Sequence, residues 1–388
     1  MVFIVDAGLL TKFQTGLITA VFYVVYAILQ VVGGALTDKW HPERFITFGL
    51  IGAGLCNLAI FFSQNYIVMI IAWALNAAVQ FGVWPATFKL VSTMTVPEMR
   101  DNSLFIVTFS NPVGVVFSYV VAAIIGETWQ ANFLFSAIGL IAVAIVWEIV
   151  FRSIKSSIVT TKNENEEISD DTIAEHRQAK TAHISFTRVA LGSGIILLIV
   201  ISFIRCMFDL GIKALTPTMI YDSYEGVSPS LATVLNIVVM IAGAAGPVIA
   251  HVIYPKFIKN EAVALAIFFG ISTPLIVATL FIGQISYWMI VVLLALIVMM
   301  MGAGTLFTTS FIAARYNAYG KGATVAGILN CFASLGIVAA NTVFTAIAES
   351  DGGWIATIIV WVIMMVAALV LSLILIPIWD RFLKRRDH

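Results

Sequence analysis

The chain has 388 residues, of which 61% are hydrophobic and 11% are charged, and its mean hydropathy is +1.02. A composition this apolar excludes an ordinary soluble domain, which needs more polar surface. The 21 lysines and arginines balance the 21 aspartates and glutamates, so the charge gives no support for nucleic-acid binding. We therefore expect a polytopic protein whose surroundings are the lipid bilayer.

Apolar runs of the length of a membrane-spanning helix follow one another along the whole chain. They cover about 16–36, 45–64, 67–91, 103–125, 132–151, 189–220, 231–254, 262–282, 286–311, 323–346 and 354–377. Open sheet edges cannot lie in lipid, and the runs lack the alternation of barrel strands. The predicted fold class is all-α, with about eleven transmembrane helices.

A polar, acidic segment divides these runs into two groups. Residues 153–186 have low hydrophobicity and predict a cytoplasmic linker. Residues 1–152 then form an N-terminal half of five spans, and residues 187–388 form a C-terminal half of six. This is the pattern of a repeat of six plus six helices without its first helix, so we expect two pseudo-symmetric halves.

The loop charges predict the orientation. Lysine and arginine occur in alternate loops only, and the other loops carry Glu127, Asp222, Glu225, Glu349 and Asp351. Basic loops face the cytoplasm, so we expect a multi-pass protein of the cell (inner) membrane with a cytoplasmic C-terminus. An odd number of spans places the N-terminus outside. We expect residues 1–12 to be a short irregular external segment, with a first helix missing upstream.

Three charges lie inside the run 189–220, namely Arg205, Asp209 and Lys213. Each costs about 2.5–3.5 kcal/mol at the middle of a membrane helix, so all three must face protein or water. Their spacing of four residues places them on one stripe of a helix. We interpret the stripe as a solute site in which Arg205 and Asp209 neutralise each other. Lys213 and Lys89 then remain as excess positive charge that favours an anion, although a structural network between two helices is the alternative.

The first basic loop reads Gly34-Ala-Leu-Thr-Asp38-Lys39 and is followed by Arg44. This pattern resembles the signature of the major facilitator superfamily. Its glycine allows two helices to approach closely, and its aspartate can meet a helix N-terminus and a basic partner. We predict that Gly34, Asp38, Lys39 and Arg44 form a cytoplasmic gate and that Asp38 contacts the segment around Arg100.

Three segments further along the chain resemble the organophosphate:phosphate antiporters of that superfamily. They are Gln80-Phe-Gly-Val-Trp84-Pro85-Ala-Thr-Phe-Lys89, Glu98-Met-Arg100 and Asn111-Pro-Val-Gly114. The resemblance implies a secondary transporter of a small anionic organic solute, such as a phosphorylated sugar or glycerol compound. Phosphate, a proton or a cation would be the coupling ion, and transport would proceed by alternating access. Two positions depart from the family: Asn111 stands where it has a histidine, and Asp209 where it has a phosphate-binding arginine.

The predicted solute-binding residues combine these motifs with the charged stripe. They are Gln80, Trp84, Lys89, Asn111, Arg205, Asp209, Lys213 and Asn330. We expect Lys89 and Arg205 to line the cavity, with Asp209 as the partner of one of them. Prolines at 85 and 112 are expected to bend their helices and free backbone carbonyls.

Two other functions stay open at this stage. The resembling family includes transporter-like receptors that bind a solute and signal, and a chain without its first helix would not transport. An enzyme is poorly supported because the sequence has no phosphate-binding glycine loop, paired carboxylates or metal-ligand cluster. We expect no cofactor and a monomer.

Overall fold

The computed structural model describes residues 8–125, 128–165, 189–190, 192–257, 260–350 and 352–386. Within these residues the regular structure is helical and no strand is found, so the all-α prediction is confirmed. Ten helices in the same part of the chain are long and apolar enough to cross a membrane.

Eleven helical elements match the eleven predicted runs, and we number them α1 to α11. They are α1 Lys12–Lys39, α2 Pro42–Phe62, α3 Tyr66–Val79 with Val83–Met94, α4 Pro97–Ile125, α5 Trp129–Asn165, α6 Ile195–Ser223, α7 Pro229–Phe257, α8 Glu261–Ala278, α9 Tyr287–Leu306, α10 Gly322–Ala339 and α11 Gly353–Arg386. Three of these helices continue in tighter or wider turns. These are a 3₁₀ turn Thr279–Phe281 after α8, a π turn Phe307–Phe311, Ile312–Arg315 and a 3₁₀ turn Tyr316–Tyr319 after α9, and a π turn Ala340–Phe344 and Thr345–Ala348 after α10.

The helix ends differ from the predicted runs most clearly at α5. This helix continues through Asn165 and so enters the predicted linker. The other parts of that linker, residues 166–186, lie outside the described residues, as do residues 1–7, Glu127 and Asp351. At the start of α1, Thr11 and Gln14 form a capping box, with each side chain bonded to the other's backbone N–H.

Pro85 accounts for the break in α3. A proline ring clashes with the carbonyl four residues earlier, here that of Phe81, and the helix is interrupted between Val79 and Val83. The Phe81 carbonyl oxygen faces α1, where a methyl group added to Gly33 would lie 2.1 Å from it. The expected bend and freed carbonyl are therefore present at Pro85. At Pro112 the helix α4 continues without interruption.

Helices α6, α9 and α10 form the interior of the molecule. In their apolar windows 61%, 67% and 61% of the residues are buried, against 11% for α5. Helix α10 lies between α1 and α6, because Gly327 contacts the backbone of Gln30 on one side and Gly336 contacts that of Phe203 on the other. The charged stripe of α6 is thus close to the centre of the bundle.

Candidate solute site and gate

The charges of the α6 stripe are held inside the protein. The Nζ atom of Lys213 donates a hydrogen bond of 2.6 Å to Oδ1 of Asp209, and both side chains are mostly buried. The stem of Lys213 passes close to α7, because a methyl group added to Gly243 would lie 2.7 Å from its Cε atom. Asn236 of α7 also donates to the backbone carbonyl of Lys213 at 2.9 Å.

This pairing corrects the predicted one. We predicted that Asp209 pairs with Arg205, but in the structure Asp209 pairs with Lys213. Side chains on a helix lean towards its N-terminus, so an acid four residues before a base reaches it more easily than the reverse. Asp209 precedes Lys213 and follows Arg205, which explains the choice.

Arg205 turns to a different helix. Its side chain is buried, and Nη1 donates to the Thr305 hydroxyl at 2.7 Å and to the Met301 carbonyl at 3.3 Å, both on α9. Its Nε atom is buried without a hydrogen-bond partner. Among the described residues no carboxylate forms an ion pair with this guanidinium. Arg205, rather than Lys213, is therefore the cation left without an acidic partner.

The backbone of α9 is irregular next to the contact between Arg205 and Thr305. The π turn Phe307–Phe311 begins two residues after Thr305 and contains Thr308, Thr309 and Ser310. Thr309 bonds back to the Thr305 carbonyl at 2.7 Å. Single π turns inside helices are frequent at functional sites because they shift the register of the side chains that follow. Sequence reasoning missed Thr305, whose only signal was a hydroxyl cluster late in a long apolar run.

Asp38 joins the end of α1 to the beginning of α10. Its carboxylate accepts hydrogen bonds from the backbone N–H of Ala323 at 3.1 Å, from that of Thr324 at 2.7 Å and from the Thr324 hydroxyl at 2.5 Å. Lys321, the residue before α10, makes no side-chain cap of its own. Asp38 therefore serves as the N-terminal cap of α10 from another helix, and the helix dipole favours its negative charge.

The partner of Asp38 also corrects the sequence analysis. We expected the segment around Arg100, but the hydrogen bonds go to a helix some 285 residues further along the chain, as the pairs Asp38–Ala323 and Asp38–Thr324 show. The Nε atom of Arg100 is buried without a hydrogen-bond partner. The N-terminus of α10 offers the carboxylate fixed backbone N–H donors together with the positive end of a helix dipole.

Lys89 lies with the gate residues. Its Nζ atom donates to the carbonyls of Thr37 at 2.7 Å and Asp38 at 3.1 Å, the last turn of α1. A cation at a helix C-terminus satisfies orphan carbonyls and matches the dipole. Lys89 thus has the role of the basic partner in the gate motif, and it contacts different helices from Arg205.

The other predicted residues are spread over several surfaces. Gln80 donates to Asn76 Oδ1 at 2.6 Å beside the break in α3, and the Trp84 indole N–H is buried without a partner. Asn111 is exposed on α4, and Lys39 and Arg44 are exposed around the turn between α1 and α2. The structure does not bring these side chains to the α6 stripe.

Asn330 faces α1, where its side chain interacts with that of Tyr26. One turn further along α1, the side chain of Gln30 is fully buried, and neither its amide nitrogen nor its amide oxygen has a hydrogen-bond partner among the residues that the structure describes. Tyr26 and Gln30 were not among the predicted residues, since nothing in an apolar run marks which polar side chain faces another helix.

A second set of contacts joins α4 to the later helices on the same predicted cytoplasmic side. The His251 Nε2 atom lies 3.1 Å from Asn102 Oδ1, and its ring stacks on Phe105. The hydroxyls of Thr108 and Ser310 are 2.8 Å apart. With Asp38, these contacts connect the first five helices to the last six.

These features define a polytopic helical membrane protein whose early and late helices are joined by a capped helix end. The chain belongs to the Major Facilitator Superfamily, whose family profile matches residues 3–340.

Two curated relatives share parts of the sequence. The membrane sensor protein UhpC of Salmonella typhimurium is 32% identical over 89 residues, which are 23% of this chain and 20% of the relative. UhpC of Escherichia coli is 26% identical over 140 residues, 36% of this chain and 32% of the relative. The matched segments thus span a third or less of either relative.

Solved structures show the same fold at low sequence identity. The E. coli fucose:proton symporter FucP has a TM-score of 0.69 at 14% identity, covering 94% of this chain and 91% of the symporter. The human organic anion transporter MFSD10 has a TM-score of 0.67 at 13% identity, covering 95% of this chain and 87% of the transporter. At such identities the likeness establishes the fold and not the substrate.

Proposed function

We propose that this protein is a secondary transporter that binds a small anionic organic solute at Arg205 and moves it by alternating access. The observation that carries the proposal is the buried guanidinium of Arg205, for which the described part of the chain provides no acidic partner. Asp209 and Lys213 neutralise each other, so one positive charge is left on the α6 stripe.

Physical chemistry makes this arrangement costly without an anion. Moving a charge out of water costs several kcal/mol, and the two neutral acceptors on α9 offset only part of that cost. An anionic oxygen would add a charge-assisted hydrogen bond, and the guanidinium still has an unused N–H at Nε. A phosphate or carboxylate matches the geometry of two adjacent N–H donors.

The sequence resemblance to organophosphate:phosphate antiporters supports a phosphorylated compound as the solute. We propose phosphate, a proton or a cation as the coupling ion, and a membrane orientation with the C-terminus in the cytoplasm.

A ligand screen on purified protein tests the proposal. Glucose 6-phosphate, glycerol 3-phosphate, inorganic phosphate and succinate would each be titrated in a thermal-shift assay. We expect at least one to stabilise the wild type and to lose that effect in Arg205→Gln, with partial retention in Arg205→Lys. Arg152→Gln, at an exposed arginine on α5, is the control that should keep it. Equal stabilisation of the wild type and Arg205→Gln would contradict the proposal.

A solute sensor is the second candidate, because both curated relatives are named membrane sensor proteins. A sensor binds the solute without net movement. Reconstituted liposomes loaded with phosphate and given the radiolabelled ligand from the screen separate the two functions. Uptake above that of protein-free liposomes supports the transporter, and binding without uptake supports the sensor.

A further inference from the structure

The backbones of α1 and α10 approach closely at two glycines. A methyl group added to Gly34 would lie 2.4 Å from the Ala323 carbonyl oxygen, and one added to Gly327 would lie 2.4 Å from that of Gln30. Such distances mean that the two backbones touch. We call this contact, from Tyr26 to Asp38 on α1 and from Ala323 to Asn330 on α10, the α1–α10 seam.

Polar side chains in the seam fall into two groups. At one end Asp38 accepts hydrogen bonds from Thr324, and at the other end the side chains of Tyr26 and Asn330 interact. Between these ends the Gln30 amide and the Thr37 hydroxyl are fully buried, and no hydrogen-bond partner is found for them among the described residues. An amide buried without partners disfavours the packed state, whereas water would satisfy it if the helices separated.

We infer that the buried Gln30 amide destabilises the closed α1–α10 seam. It thereby opposes the stabilisation by the Asp38 cap and biases the seam towards opening. The inference rests on the proposed alternating access, in which α1 and α10 separate. A gate that must open and close needs its two states to differ in free energy by only a few RT. Strong stabilisation of the closed state by the Asp38 cap therefore requires an opposing contribution. Gln30 supplies that contribution at one of the two glycine contacts of the seam.

The inference predicts the sign of each substitution. Gln30→Met keeps the length of the side chain and removes the unsatisfied amide, so it should shift the seam towards the closed state by about 5- to 100-fold. Thr37→Val should act in the same direction and less strongly. Gln30→Glu places a charge in the closed seam and should shift it towards the open state. If Gln30 served only to fill space, both Gln30→Met and Gln30→Glu would destabilise the closed seam, and their effects would have the same sign.

Distances between spin labels measure the seam directly. Labels would be attached through His41→Cys, after α1, and Ala318→Cys, before α10, both at exposed positions. The three native cysteines would be replaced by alanine. Pulsed electron resonance then gives the fraction of long distances, and the Asp38→Asn background raises that fraction so that closing can be seen.

Gln30→Met should lower the long-distance fraction in the Asp38→Asn background, and Gln30→Glu should raise it in the wild type. Ser272→Ala is the matched control, because this hydroxyl of α8 is also buried and unpartnered but lies outside the seam. It should leave the distances unchanged. If Asp38→Asn lengthens the spin-label distances while Gln30→Met does not shorten them, Gln30 does not destabilise the closed seam and the inference is contradicted. If Asp38→Asn changes nothing, the gating proposal itself fails.

Discussion

At the scale of single residues, the site depends on which of two i,i+4 pairs forms. Asp209 has a base on either side, Arg205 four residues before it and Lys213 four residues after it. The tilt of helical side chains favours the base that follows, and the structure has Lys213 bonded at 2.6 Å. This choice frees Arg205 to reach α9 and gives the stripe its net positive charge. A different order of the same three residues would place the uncompensated charge elsewhere.

The Asp209–Lys213 pair yields a stability prediction. Asp209→Asn leaves a mostly buried ammonium without its carboxylate, and we expect it to lower the free energy of unfolding by about 1–3 kcal/mol. Asp209→Asn combined with Lys213→Met removes both charges and should recover most of the loss. Thermal unfolding in detergent measures all three variants against the wild type. Additive losses in the double variant would show that the two side chains do not form a pair that matters for stability.

At the scale of helices, glycines set the distances between α1, α7, α9 and α10. The positions that touch a neighbouring backbone differ from those that do not. A methyl group on Gly246 of α7 would lie 2.2 Å from the Met299 carbonyl oxygen of α9, but one on Gly139 of α5 would meet no atom within 4 Å. Small residues at helix contacts allow close packing in membranes, where the hydrophobic effect does not drive association.

Gly246→Ala should therefore separate α7 from α9. A carbonyl oxygen in a helix cannot move aside cheaply, so we expect a loss of several degrees in the melting temperature or poor folding. Gly139→Ala is the matched control on a helix of the same kind, and it should be neutral or stabilise by up to about 1 kcal/mol through the lower entropy of the unfolded chain. Equal effects of the two variants would mean that the α7–α9 distance is not set by Gly246.

At the scale of the whole molecule, several polar and ring contacts between the early and the late helices gather on one side. Asp38 caps α10, Lys89 caps α1, and His251 stacks on Phe105 of α4. All of these contacts lie on the predicted cytoplasmic side, so they hold that side closed. Motion of the early helices against the late ones must break the Asp38 cap.

Asp38→Asn tests this consequence. The variant keeps one acceptor oxygen but loses the charge that interacts with the α10 N-terminus, and we expect about 1–3 kcal/mol less stabilisation of the closed side. The population open to the predicted cytoplasmic side should rise several-fold in the spin-label distances described above. Glu98→Gln, at an exposed carboxylate at the start of α4, is the control that should leave the population unchanged. If the spin-label distances are unaltered in Asp38→Asn, the motif Gly34–Lys39 is only a charged turn and does not act as a gate.

The sequence by itself determined the all-α class, the positions of the apolar helices and the residues that carry charge inside them. Length and hydropathy suffice for this, because a span needs a fixed number of apolar residues and each buried charge needs a partner. Tertiary structure alone decided who the partners are. The cap of α10 by Asp38, the place of Lys89 at the end of α1, the contact of Arg205 with Thr305 and the unsatisfied amide of Gln30 all depend on which helices are neighbours. A helical period gives the face on which a side chain lies, but the helix opposite that face is set by packing between segments up to 286 residues apart.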